Sequence, residues 1–139
     1  MTPYEIAKGE IGVKEVRGGE NPRILEYDAC TSLHATDDET PWCSAFVNWC
    51  CKQAGIEGTG LANARSWLKW GKELGKPVEG CIVILKRPPN PASGHVAFFV
   101  RQQGDMVELL GGNQGDQVKL SWFHAADVLG YREEGEREH

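Results

Sequence analysis

The apolar pattern of this chain changes period once. Up to about residue 74 hydrophobic side chains recur at helical spacing, and from Cys81 onward they fall in short β-branched runs divided by Gly, Pro, Asn and Asp. Helices first and strands second predict an α+β fold, with N-terminal helices packed on a C-terminal antiparallel sheet. A length of 139 residues fits one domain built around one principal site. Residues 1–132 are expected to form that single domain and residues 133–139 a charged, solvated tail.

Local signals place the elements. Thr2-Pro3-Tyr4-Glu5 reads as a capping box opening a helix that runs to about Gly12. Asn21-Pro22 opens a second short helix through Ile24, Leu25 and Tyr27, and the polar residues 31–39 read as a loop. Thr40-Pro41-Trp42-Cys43 supplies a hydroxyl N-cap and a proline at the first helical position. Phe46, Val47, Cys50 and Ala54 then follow at helical spacing until Gly55. A fourth helix is expected over residues 63–74, burying Ala64, Trp67, Leu68 and Leu74. Strands are expected over residues 81–85, 95–100, 106–110 and 118–122 as an antiparallel meander, with a last short strand over 128–132.

Charge and cysteine usage exclude several functions. With a net charge of −5 and a pI near 5.4, and no basic cluster, the chain has no electrostatic footprint for nucleic acid. No apolar run approaches the roughly 18 residues of a membrane span, so membrane insertion is not expected. The segment Met1-Thr2-Pro3-Tyr4-Glu5 has neither the basic nor the apolar part of a secretory signal, which predicts synthesis in the cytoplasm. Cys30, Cys43, Cys50, Cys51 and Cys81 are odd in number and lack CxxC spacing, against a complete disulfide framework and a zinc ribbon. Seven residues along one helix separate Cys43 from Cys50 by about 10 Å, too far for a disulfide. Cys30 and His34 have C-x3-H spacing, and Cys50, Cys51 and His124 are further potential ligands. Adjacent cysteines on one helix point to different faces, however, so no metal is expected. Trp49, Trp67 and Trp70 sit at packing positions on helices and are assigned to the core.

Three residues carry chemistry. A cysteine in the first turn of a helix faces unpaired N–H groups and the positive end of the macrodipole, which favour thiolate. Cys43 occupies that position, although an apolar stripe also accommodates a plain buried cysteine. His95 follows Gly94 at the head of an apolar strand, where its imidazole can face a helix packed on the sheet. Asn113, in Gly111-Gly112-Asn113-Gln114 past the next strand, could accept the imidazole N–H, or could simply be a turn residue. Together they give a Cys, His, Asn order.

These segments, Asp38-Glu39-Thr40-Pro41-Trp42-Cys43-Ser44-Ala45-Phe46-Val47, Gly94-His95-Val96 and Leu110-Gly111-Gly112-Asn113-Gln114, resemble the CHAP and NlpC-type cell-wall hydrolases, over roughly residues 21–132. The likeness is to a compact subgroup found in phage and bacterial genomes. It implies a papain-like fold in which Cys43 attacks an amide carbonyl, His95 shuttles the proton and Asn113 orients the imidazole, with no metal or organic cofactor. Many CHAP domains carry a glutamate where this chain has Gly111, which leaves Asn113 as the candidate orienter. The turn into the first strand, usually Gly-Asp, is here Gly80-Cys81, and Cys81 is given no catalytic role. Trp42, beside the nucleophile, and Asp38, in an acidic loop that could equally stabilise a helix N-terminus, are the candidate substrate-binding residues.

The expected activity is that of a cysteine amidase or endopeptidase acting on peptidoglycan stem peptides. Alternatives are a thiol protease or toxin acting on proteins, a glycan hydrolase using Glu5, Glu10 or Glu15, and a non-catalytic wall-binding or phage structural module. An acidic hydrolase made without a signal is expected to reach the periplasm or wall through phage-holin lesions or a contact-dependent secretion machine. In the second case an immunity protein that plugs the Cys43 cleft would be its partner.

Overall fold

A computed structural model describes residues 1–16, 21–31, 42–87 and 90–135, with the side chains of 90–92 excepted. Among the described residues three short α-helices come first: α1 (Pro3–Lys8), α2 (Pro22–Asp28) and α3 (Cys43–Gln53). Six strands follow: β1 (Lys72–Leu74), β2 (Ile82–Arg87), β3 (Asn90–Gln103), β4 (Met106–Gly111), β5 (Lys119–His124) and β6 (Val128–Glu133). They form one sheet in the order β1-β6-β2-β3-β4-β5, antiparallel at every pairing. The expected α+β architecture is the observed one. The meander holds for β2 to β5, while β6 returns to pair with the other side of β2.

The helix caps act as their residues dictate. Thr2 Oγ1 accepts the Glu5 N–H and Glu5 Oε1 accepts the Thr2 N–H, each at 3.2 Å, so the capping box is complete. The helix nevertheless stops at Lys8, short of the expected Gly12, because the N–H of Gly9 folds back onto the carbonyls of Ile6 and Ala7. Asn21 Oδ1 caps α2 through the Arg23 N–H at 2.9 Å. α3 is buried along its first nine residues on every face, as a central helix must be when other helices cover one side and a sheet the other. Its described cap is Trp42, whose carbonyl accepts from Phe46, and Thr40 and Pro41 lie outside the described residues.

The largest difference from expectation lies between residues 63 and 74. Ala64–Lys69 is a single 3-10 helix, and Lys72–Leu74 is strand β1. Trp67 explains the tight turn, because its buried indole must reach Ser44 on α3. Gly71 then turns the chain at positive φ so that β1 can pair with β6, a partner some 60 residues away that local pattern does not reveal. β3 is also longer than its apolar core, since residues from Asn90 onward pair with β2 across an irregularity at Lys86 and Arg87. β6 ends at Glu133, one residue past the expected domain boundary.

Both faces of the sheet are buried. Ile82, Ile84, Val96, Phe98 and Leu110 pack against the helices with Phe46, Val47 and Trp67. The alternate residues Val83, Leu85, Ala97, Phe99, Val107 and Leu109 form a second core with Phe123, Val128 and Tyr131. Every member of that second core comes from the sheet or its turns, so the sheet curls to cover it. Among the described residues no helix is long and apolar enough to cross a membrane.

Candidate functional site

The site lies where α3 meets the open end of the curled sheet. Cys43 is the first residue of α3, and β4 ends at Gly111. The ladder between β3 and β4 begins at Phe98 and Leu110, so the backbone N–H of Val96 is left beyond it. The Cys43 sulfur takes that N–H, together with the N–H of Ser44. Gly112 permits this approach, because a Cβ there would lie 2.7 Å from atoms of both Phe46 and Trp42.

His95 alternates with Ala97 and Phe99 along β3, so its ring emerges at the rim of the second core, stacked on Phe123 with centroids 5.3 Å apart. It is hydrogen-bonded to the Cys43 thiol. Its Nε2 lies 2.9 Å from Gln114 Oε1. The orientation of that amide is fixed, since Gln114 Nε2 donates to the carbonyls of Leu109 at 3.2 Å and Lys119 at 2.7 Å. The oxygen left over can only accept, so the imidazole carries its proton on Nε2 and leaves Nδ1 for the thiol.

Cys43 is 1% exposed, His95 7% and Gln114 5%. Burial pushes a thiol up, but here the charge and hydrogen bond of His95 and the N–H groups of Val96 and Ser44 bring Cys43 below the ordinary thiol range. Burial would lower His95 and Arg87 opposes its protonation. The charge and hydrogen bond of Cys43 and the hydrogen bond to Gln114 outweigh both and raise it. The opposed shifts favour a thiolate beside an imidazolium. The other thiols move the opposite way through burial: Cys51 to about 12, Cys81 to about 11, and Cys50 and Cys30 upward as well.

A polar network behind α3 fixes the nucleophile's neighbour. Ser44 Oγ donates to the Leu61 carbonyl at 2.6 Å and accepts from Trp67 Nε1 at 2.9 Å. Asn48 Oδ1 accepts from the Gly60 N–H at 2.8 Å. These bonds hold residues 60 and 61 against the first two turns of the helix, and each satisfies a buried group that would otherwise cost about 1–3 kcal/mol.

The expected site residues separate as follows. Cys43 and His95 are brought together. Asn113 is not the partner of the imidazole: it occupies the left-handed region at φ 59, the turn alternative for this residue, and Gln114 supplies the acceptor one position later. Trp42 does not offer an open platform for substrate, being 3% exposed, stacked on Tyr27 and hydrogen-bonded through Nε1 to Glu15. Asp38 and His34 lie outside the described residues. Gln114, Phe123 and Ser44 were missed by sequence reasoning. Cys81 belongs to the second core. Glu5, Glu10 and Glu15 are engaged respectively with Thr2, with Tyr27 and Arg23, and with Trp42. Among the described residues no group of three His, Cys, Asp or Glu could hold a metal ion.

Helices packed on a curled antiparallel sheet, with a cysteine at the start of the central helix meeting a strand histidine, define a papain-like fold. The CHAP domain family matches residues 35–113. The chain therefore belongs to the CHAP domain family. Among solved structures it resembles a protein described as similar to a lipoprotein of the NLP/P60 family from Staphylococcus aureus subsp. aureus Mu50, with a TM-score of 0.55 and 16% identity. The likeness covers 98% of this chain and 41% of that one, so the chain spans less than half of that protein's length. No curated protein sequence matches the chain.

Proposed function

We propose that the protein is a cysteine amidase or endopeptidase that hydrolyses amide bonds in the stem peptides of bacterial peptidoglycan. The observation that carries this reading is the line of contacts from Cys43 through His95 to Gln114, a depressed thiol joined to a raised imidazole whose far nitrogen is held by a fixed amide. Membership of the CHAP domain family and the NLP/P60 likeness support the choice of substrate.

In this mechanism the Cys43 thiolate attacks the amide carbonyl carbon. The imidazolium of His95 donates its Nδ1 proton to the departing amine as the C–N bond breaks, which leaves a thioester on Cys43 and a neutral imidazole. His95 then takes a proton from water, the hydroxide adds to the thioester, and the acid is released as the sulfur leaves. Gln114 holds the ring's Nε2–H throughout, so that Nδ1 stays aimed at the sulfur.

Digestion of purified sacculi followed by mass spectrometry of the muropeptides tests the proposal. New stem-peptide ends, without new reducing sugar ends, are expected from the native protein and not from Cys43→Ala. Solubilisation by Cys43→Ala would overturn it. A thiol protease acting on proteins would use the same geometry and would leave muropeptides intact. Action on this substrate places the protein in the periplasm or wall, reached through holin lesions or a secretion machine, with an immunity protein as partner in the second case. When the protein is carried to the periplasm of an expressing host by a grafted export signal, lysis is then expected only with an intact Cys43.

A further inference from the structure

Two cations that the catalytic contacts do not use stand on the helix-side face of the sheet at Gly94, the residue before His95. Arg65, on the 3-10 helix, lays its side chain across Gly94, where a Cβ would come within 3.2 Å of Arg65 Cγ and 3.0 Å of the Leu85 carbonyl oxygen. Its Nε donates to the Ser93 carbonyl at 3.0 Å, two residues before His95 in the chain. That tether fixes the plane of the guanidinium and leaves Nη1 and Nη2, which have no hydrogen-bond or ion-pair partner among the described residues. Gly94 pairs across the strands with Lys86, an exposed residue that alternates with Ile82 and Ile84 and so faces the same side as Arg65. The next residue, Arg87, is also exposed. In a chain of net charge −5, a guanidinium tethered over Gly94 and a lysine at the strand position paired with that glycine give this end of β2 and β3 a local charge of opposite sign to the whole.

We propose that Arg65, assisted by Lys86, is the receptor for a free carboxylate of the substrate next to the scissile amide. This rests on the hydrolase reading and adds to it a substrate class: stem peptides in which the γ-linked glutamate keeps its α-carboxylate. A tethered guanidinium presents its two remaining nitrogens as a rigid fork that matches a carboxylate, whereas an amidated glutamate offers a carboxamide with no charge and a donor facing two cations. Arg65 is thus a specificity residue, whose contribution falls on KM more than on kcat.

The test uses two synthetic stem peptides that differ only in an α-carboxylate or an α-carboxamide on the γ-linked glutamate. Cleavage by the native protein, and binding to Cys43→Ala by calorimetry, are each measured with and without substitutions at Arg65. The native protein should prefer the carboxylate by roughly 10- to 100-fold, the range of a charge-assisted pair. Arg65→Ala should reduce that preference to about threefold or less through KM, Arg65→Lys should restore part of it, and Lys86→Ala should weaken it less than Arg65→Ala does. An unchanged ratio in Arg65→Ala, or an equal loss on both peptides, would overturn the inference, the latter marking Arg65 as a prop for Ser93. The binding arm separates this from the hydrolase reading. If neither peptide is cut but binding to Cys43→Ala still prefers the carboxylate through Arg65, hydrolysis fails and the receptor stands. If binding shows no preference, the receptor fails even where cleavage proceeds.

Discussion

The side chain of Gln114 fills the space that a side chain at Gly111 would need: a Cβ on Gly111 would lie 2.5 Å from Gln114 Oε1 and 2.8 Å from Ala97 Cβ. The bare backbone at one position and the amide from the other are therefore a single arrangement. Gly111→Ala should displace the amide from His95. Because the amide is also tied to two carbonyls, the change should cost about 1–3 kcal/mol in stability, as overpacking of a core does. Loss of alignment should lower kcat/KM about tenfold or more. Denaturant titration and steady-state kinetics on one preparation check both.

The pH profile isolates the role of Gln114. Activity that needs a thiolate and an imidazolium rises as Cys43 loses its proton, below the ordinary thiol range, and falls as His95 loses its own, above the ordinary imidazole range. The hydrogen bond from His95 to Gln114 raises the imidazole, so removing the acceptor must lower it. Gln114→Ala should move the alkaline limb of kcat/KM to lower pH and reduce the maximum by roughly 10- to 100-fold. A profile that falls in height without moving would make Gln114 a packing residue only.

Asn113 should behave as a turn residue. At φ 59 it sits where glycine carries no steric penalty. Asn113→Gly should leave kcat/KM within about twofold, whereas Asn113→Val should cost about 1–2 kcal/mol in thermal or chemical unfolding. An alkaline limb displaced by Asn113→Gly would return the orienting role to this residue.

Thiol reactivity should rank the five cysteines. All five are free, and burial holds Cys50, Cys51 and Cys81 as protonated thiols at neutral pH. Cys43 alone is shifted downward. Brief treatment with iodoacetamide near pH 6, followed by peptide mass mapping, should label Cys43 first, and the labelling should slow markedly in His95→Ala. Earlier labelling of half-buried Cys30 would contradict the depressed state of Cys43.

The positions of Cys43 and His95 were legible because each is announced locally, one by a helix start and the other by a glycine before an apolar strand. Gln114 was not. In Gly111-Gly112-Asn113-Gln114 the asparagine is the shorter and more usual acceptor, but the left-handed backbone at residue 113 gives the next, longer side chain the reach back to His95. The usable signal was Gly111 itself, since an emptied position beside the histidine implies another side chain in that space. The strands were legible by composition. Strand β1 was not, because Lys72, Glu73 and Leu74 are a strand only by virtue of Glu133, Arg132 and Tyr131 opposite them. Arg65 lay within a segment expected to be a regular helix, and only its contact with Ser93 distinguishes it from a surface cation.

Where β4 stops at paired glycines, the sulfur of Cys43 stands in for the carbonyl of an absent strand and receives the amide of Val96. The nucleophile is thereby made a member of the sheet's hydrogen-bond ladder as well as of its helix. Any fluctuation that parts α3 from β3 releases the Val96 amide to solvent and deprives the thiolate of that donor at the same moment. Deuterium uptake at Val96 and the disappearance of the reactive sulfur are then one opening event observed in two ways, so the lifetime of the nucleophile reports directly on the cohesion of helix and sheet.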